Sequence, residues 1–328
     1  MSRRVLVFAV IAIAVVAAAI GYGVRERNRT AGEPSSRGAT LPEGPLLLFR
    51  NTEIGPDYGL VAAVPLDDPG GERTVTDLAC DRIDAVPTGA SCLVTERGVL
   101  TKYSWLDLDA DLKVTGSTAL PGIPSRTRVS PDGRLRAATV FVTGHEYMSH
   151  GFSTLTQIRD LDGTDYGDLE KFTFILDGEP AAPADRNVWG VTFADDDTFY
   201  ATVATGGTPY LVKGDLSERT LTAIREGAEC PSLSPDGTKI AYKVVTHRGT
   251  PPQWGIAVLD LASGQETRLE GETRSVDDQV AWLDDDTVIY GLPRPDQPGA
   301  SDVWTLPIHG GESPELLVEN AWSPTVRH

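Results

Sequence analysis

Three acids in the second half of the chain, Glu229, Asp277 and Asp278, are the residues best suited to direct chemistry. Two such carboxylates about 5–10 Å apart can support hydrolysis or elimination on a carbohydrate, with one as acid and the other as base or nucleophile. Charged and hydrogen-bonding side chains recur elsewhere in short clusters: Asp81 with Arg82, Arg126 with Arg128, Asn187 with Trp189, and Gln279 beside the acids. His145-Glu146-Tyr147-Met148-Ser149-His150 suggests zinc, but its histidines stand five residues apart, where a helical H-E-x-x-H pair needs four. Asp107, Asp109 and Asp111 alternate as in a calcium loop, yet Leu112 and Thr118 occupy the places of the glycine and closing glutamate. The chain contains no G-x-S-x-G elbow, phosphate-binding P-loop or dinucleotide fingerprint. The motifs therefore point to no metal and no cofactor.

A repeated unit would bring such scattered residues together. Its clearest copies are Val129-Ser130-Pro131-Asp132-Gly133-Arg134-Leu135 and Leu233-Ser234-Pro235-Asp236-Gly237-Thr238-Lys239-Ile240. Around Asp195-Asp196-Asp197 and Asp284-Asp285-Asp286 acids replace Ser-Pro-Asp-Gly, and Pro87 and Pro324 mark two shorter copies. Proline fixes φ, aspartate bonds its own backbone and glycine accepts positive φ, so the unit reads as a hairpin turn between two strands. Gly 33 and Pro 23 in 328 residues fit a chain of many short strands.

The turn anchors fall at residues 87, 131, 195, 235, 284 and 324, with spacings of 44, 64, 40, 49 and 40. Four-stranded propeller blades repeat at about 40–50 residues. The long gap predicts an insertion at Gly144–Gly151 or Gly163–Asp185. One blade is legible in full, as strands Pro231–Leu233, Lys239–Val245, Trp254–Asp260 and Gln265–Leu269. Ala321–Val326 lacks following strands, while Pro45–Arg50, Leu60–Pro65 and Arg73–Asp77 lack an inner one. Joined, they make a composite closing blade that leaves no free sheet edge. The expectation is an all-β, six-bladed β-propeller over residues 45–328, preceded by one N-terminal hydrophobic helix.

In a propeller, the segment leading into each inner strand lies near the central channel. Asp81, Arg82, Arg126, Arg128, Asn187, Trp189, Glu229, Asp277, Asp278 and Gln279 should therefore meet at one mouth. Such a set makes either a ligand- or peptide-binding mouth or an ion-pair and hydrogen-bond network that closes the channel. Of three cysteines, Cys80 and Cys92 are nearest in sequence. A straight hairpin turning at Pro87–Gly89 faces Cys92 toward residue 84 or 85, so a disulfide needs a bend to bring the Cα atoms within ~7 Å. Cys230 is expected to be free and buried.

Ser234-Pro235-Asp236-Gly237, with Ile240-Ala241-Tyr242 and then Val258-Leu259-Asp260-Leu261-Ala262-Ser263-Gly264, resembles the repeats of TolB-type propellers. Cys80-Asp81-Arg82, Ser125–Ser130, Trp189–Phe193, Glu229–Ser232 and Asp277–Leu283 make residues 45–328 similar, more narrowly, to the TolB-like translocation proteins of actinobacteria. The resemblance implies a propeller that contacts envelope proteins, with a link to translocation. No stretch before residue 45 reads as the additional α/β domain of TolB itself.

Val5–Ile20 is an unbroken apolar run that Gly21–Val24 extend to 20 residues without a charge. At ~1.5 Å per residue this matches a bilayer core of about 30 Å. Residues 1–24 are therefore expected to form a signal-anchor, with cleavage near Ala17-Ala18-Ala19 as the alternative. Residues 25–44 read as a flexible tether. The propeller would then be extracytoplasmic on the cell membrane, or secreted if the segment is cleaved. The first thirty residues carry +4 of a total of −18, leaving −22 on the rest. Such a surface repels nucleic-acid phosphates and excludes them as partners. The function expected is a non-enzymatic, monomeric scaffold for an envelope protein or peptide. A hydrolase or lyase at the mouth and a purely structural or sensory ectodomain are the alternatives.

Overall fold

The computed structural model describes residues 40–142 and 153–328. The expected N-terminal helix, most of the tether and His145–His150 lie outside them. Among the described residues the regular structure is strand apart from a 3₁₀ turn at Leu169–Lys171, and no helix is long and apolar enough to cross a membrane.

The repeated hairpins build six sheets, and the six-bladed expectation holds. Blade 1 is composite: Ala321–Arg327, Leu46–Asn51, Leu60–Pro65 and Thr74–Ala79, from the axis outward. Blade 2 comprises Arg82–Val86, Gly89–Glu96, Lys102–Leu108 and Val114–Leu120. Blade 3 comprises Ile123–Val129, Leu135–Val142, Ser153–Asp160 and Asp165–Asp168. Blade 4 begins Asn187–Phe193, Thr198–Thr205, Thr208–Asp215 and Thr220–Glu226. Blade 5 comprises Glu229–Leu233, Lys239–His247, Gln253–Asp260 and Glu266–Arg268. Blade 6 comprises Ala281–Asp284, Thr287–Pro293, Ser301–Pro307 and Glu315–Val318.

The turns show why the repeat exists. Asp132 Oδ1 accepts from the Ser130 hydroxyl at 2.5 Å and the Arg134 N–H at 3.0 Å, while Ser130 Oγ accepts the Leu135 N–H at 2.8 Å. Ser234 and Asp236 repeat these bonds onto Thr238 and Lys239. In both turns the glycine has positive φ, +83° at Gly133 and +71° at Gly237. The acidic copies close similarly: Asp195 Oδ1 accepts the N–H groups of Asp197 and Thr198, and Asp284 Oδ1 that of Asp286.

Packing follows from burying each blade on both faces. Leu46, Leu47, Leu48 and Phe49 are all fully buried, the continuous apolar run expected of a doubly covered strand. Leu46 and Leu48 pack toward blade 2, whereas Leu47 and Phe49 pack toward blade 6. Six apolar clusters correspond in this way to the six blade-to-blade interfaces.

The predicted insertion maps to 163–185, with 144–151 outside the described residues. It does not form a seventh blade. Thr173–Leu176 pairs in parallel with the outer strand Thr220–Glu226, and Glu179–Ala181 pairs beyond it, so blade 4 has six strands. Leu169, Phe172 and Phe174 hold this addition down by joining the cluster between blades 3 and 4.

Candidate functional site

All six inner strands begin on one face of the ring and end at the repeated turns of the other. At the beginning of these strands, among the described residues, charged side chains cross the axis. Asp278 Oδ1 accepts from Arg82 Nη1 at 2.9 Å and the Gln279 N–H at 2.9 Å, and lies 3.4 Å from Arg126 Nη2. Gln279 Nε2 donates to the carbonyls of Val191 at 3.2 Å and Pro231 at 2.6 Å, tying blade 6 to blades 4 and 5. Arg82 also stacks over Trp322, 5.0 Å from the ring centroid. The void left among these groups is 10 Å³, about enough for one water.

Electrostatics hold this plug together. Burial draws the Arg82 guanidinium down to about 10, against the pull of Asp278. Burial acts on Arg126 in the same sense and is the largest single effect, but Asp278, Cys230 and Asp277 together outweigh it and hold Arg126 above its ordinary value. Two buried cations sharing one carboxylate that is 2% exposed make Asp278 the group whose loss would leave uncompensated charge.

Backbone irregularity supports the same level. Ladder register slips at Trp189/Thr192 and Glu229/Ser232, bulges that re-aim the inner strands. Gly190 has φ +70°, and a Cβ there would lie 2.8 Å from Cys230 Cα. The two bulges nest, and only glycine allows that approach.

The sequence-predicted mouth is therefore divided. Arg82, Arg126, Asp278 and Gln279 do converge, and they form a plug rather than an opening. Arg128 lies farther along: its Nη2 donates to the Val280 carbonyl at 3.0 Å and Nη1 lies 3.7 Å from Asp84 Oδ1. Asp81 pairs with Arg50 at 3.2 Å. Asn187 Oδ1 accepts the Thr154 N–H at 2.9 Å, stitching blade 3 to blade 4, and Trp189 is half-buried beside it in sequence. Glu229 and Asp277 form a separate cluster. Lys243 Nζ lies 2.5 Å from Asp277 and 4.0 Å from Glu229, and over the Trp254 ring at 4.5 Å. Trp254 Nε1 donates to Glu229 Oε1 at 3.2 Å. Burial would raise Asp277, but Lys243 holds its carboxyl below the usual range. No group of three or more metal-ligating side chains occurs among the described residues.

The Cys80–Cys92 disulfide is present, with Cα atoms 5.7 Å apart, and Cys230 is free and buried. The bend it requires lies between blades. Cys80 N–H donates to the Gly59 carbonyl in blade 1, and Asp81 N–H to the Leu93 carbonyl in blade 2. The turn at Pro87-Thr88 is tighter than the straight-hairpin expectation, so Cys92 faces Ile83 rather than residue 84 or 85.

The opposite end of the axis is open. Beyond Arg128 the channel widens into a funnel of 490 Å³ lined by all six inner strands. Its wall is built from one repeated position, the residue before the last apolar residue of each inner strand: Ala85, Arg128, Thr192, Ser232, Trp282 and Thr325. Blade-to-blade hydrogen bonds fix the wall. Thr192 Oγ1 accepts the Leu233 N–H at 3.1 Å, and Trp282 Nε1 donates to the Ser232 carbonyl at 2.9 Å. Thr325 Oγ1 accepts the Ala85 N–H at 3.2 Å and donates to Asp84 Oδ1 at 3.0 Å. His328 and Pro235 stand at the margin, with the acidic turns of Asp132, Asp196, Asp236 and Asp285 around it. The Ser234 hydroxyl, with Thr238, holds the Asp236 carboxyl far below the usual range. Of this wall the sequence-predicted set holds only Arg128, because it was drawn mainly from residues leading into each strand. The usable signal, in four of the six strands, was a small residue just ahead of the final apolar one: Ala85, Thr192, Ser232 and Thr325.

No protein-family profile and no curated protein sequence matches the chain. Solved structures do. TolB from Acinetobacter baumannii matches with a TM-score of 0.57 and 17% identity, over 87% of this chain and 67% of that one. A putative TolB from Agrobacterium tumefaciens matches with 0.51 and 16%, over 86% and 97%. A puromycin-hydrolyzing peptidase from Mycobacterium tuberculosis matches with 0.52 and 13%, over 86% of this chain but 45% of that one. At such identities the likeness is one of architecture, and the architecture is that of a TolB-like six-bladed β-propeller.

Proposed function

We propose that the chain is a membrane-tethered, extracytoplasmic scaffold whose axial funnel docks an envelope protein or peptide. The observation that carries this reading is the open, hydrogen-bonded axial funnel of 490 Å³, a volume in the ~300–1,000 Å³ range of ligand sites. Its wall is cross-linked between blades before any ligand arrives, so little ordering cost attends binding. Binding is favoured over acid–base chemistry by the state of the acids. Glu229 and Asp277 face Lys243, and Asp278 faces Arg82 and Arg126, so each candidate carboxylate already has a cation.

Affinity capture from detergent-solubilised membranes tests the proposal. Ala194 lines the funnel, and Ala194→Trp would fill it. Proteins recovered by the wild type should be lost with Ala194→Trp and retained with Val99→Ser on the opposite face. Recovery of one and the same set by wild type and Ala194→Trp would overturn the funnel as the docking site.

A further inference from the structure

The chain joins the ring on its open face. Leu46 pairs with Arg327, at the end of an inner strand, and Asn51 pairs with Ala321, at its beginning. The strand Leu46–Asn51 therefore starts beside His328 and the funnel and runs toward the plug. The Pro45 carbonyl accepts the Leu66 N–H at 3.0 Å. Leu41 packs against the cluster containing Leu46, Ile83, Leu108 and Leu112, and Leu112 lies in an open-face turn of blade 2. The first described residues are thus held on the ring's open face, beside blades 1 and 2.

From this geometry we propose that the funnel faces the membrane, and that its occupant is a cationic, extended segment lying close to the bilayer surface. The inference rests on the membrane tether of the proposed function. Residues 25–39 separate Val24 from Thr40. A chain of that length spans about 50 Å when fully extended and about 20 Å on root-mean-square average. A compact domain of this size is roughly 48 Å across. With the funnel toward the bilayer, the average tether suffices. With the plug toward the bilayer, the chain must pass around the domain's edge and use nearly its whole contour.

The funnel then opens into a gap of about 20 Å, too narrow for a folded domain and wide enough for an extended chain. Charge selects which chain. The inner-strand turns around the funnel carry Asp132, Asp196, Asp236 and Asp285, which outnumber the Arg134 and Lys239 paired to Asp196 and Asp236 and leave Arg128 in the wall below them. An acidic rim around a cavity concentrates cations and repels anions.

Reporters on the two faces of the full-length chain test this in phosphatidylcholine vesicles carrying a headgroup quencher. Cys230 is buried and Cys80–Cys92 is bonded, so a dye can be placed selectively at Asp196→Cys or Val99→Cys. Quenching should be several-fold stronger at position 196, and a 30-residue Gly-Ser insertion after Gly38 should abolish the difference. Equal or stronger quenching at position 99 in vesicle-bound protein would overturn the orientation while leaving the tether intact. Failure to float with vesicles would instead overturn the tether and the orientation with it. A lipid-anchored (Gly-Arg)₄ peptide supplies the second arm. It should bind the wild type at least tenfold more tightly than Ala194→Trp or an Asp196→Lys/Asp236→Lys variant. Equal binding by all three would overturn the cationic occupant.

Discussion

The two ends of the channel are built from the same six strands and have opposite outcomes. At the closed end, long charged side chains from blades 2, 3 and 6 cross the axis and neutralise one another around Asp278. At the open end, one repeated position supplies mostly short side chains that bond sideways to the next blade and leave the middle empty. A propeller channel is therefore a passage, a plug or a cup according to whether side chains reach across the axis or around it. One register position decides which.

Variants can break this contrast. The largest effect should come from Asp278→Ala, which leaves two buried guanidinium groups facing each other. Unpairing a buried ion typically costs about 3–5 kcal/mol, and urea unfolding should show a loss of that size. A loss under about 1 kcal/mol would mean that the plug is not where the ring is fastened. Next comes Cys80→Ser with Cys92→Ser. The bridge spans 12 residues and joins blade 1 to blade 2 at the closed end, and a loop of that length contributes about 3 kcal/mol through the unfolded chain. The midpoint of denaturation should fall accordingly, with binding at the funnel unchanged in the folded protein.

Smaller effects sharpen the open end. Thr192→Val removes the acceptor of the Leu233 N–H and should cost about 1–2 kcal/mol, visible as loss of amide-exchange protection at Leu233. Glu170 lies off the axis and separates the blades' own pH response from that of either end. Burial, and then Asp168, raise its carboxyl to about 7. Its protonated form is favoured by folding, so its contribution is full below about 4.5 and fades as pH rises through about 7. Stability measured across that window should decline less in Glu170→Gln than in the wild type. Smallest in stability is Asp196→Lys, an exposed turn substitution expected within about 0.5 kcal/mol but altering what the funnel retains.

The fold was legible where turn chemistry repeats. Proline, aspartate and glycine at fixed offsets act locally, so Ser130–Gly133 and Ser234–Gly237 announced their hairpins without reference to the rest of the chain. The closing blade was legible because each end lacked what the other supplied. The insertion was visible as excess length, but Thr173–Leu176 could not be placed, since its parallel pairing depends on the distant Thr220–Glu226. Arg82, Arg126, Asp278 and Gln279 were found together because each lies before or within the first part of an inner strand, up to its middle residue. Asn187, Glu229 and Asp277 also precede or open inner strands yet do not reach the axis: Asn187 bonds to Thr154 of blade 3, Asp277 pairs with Lys243 of blade 5, and Glu229 faces Lys243 and Trp254 within its own blade. Whether a charged side chain meets its partner or a cavity depends on such fractions of a turn, which residue type does not encode.

The composite closing blade also has a mechanical meaning. Any pull transmitted through Pro45 reaches Leu46–Asn51, which lies between Ala321–Arg327 and Leu60–Pro65 and is hydrogen-bonded to both. Because the pull enters at the strand's end and acts along its length, it loads both ladders in shear. The bonds must then give way together instead of opening one after another, so the strand nearest the tether is also the one hardest to peel from the ring.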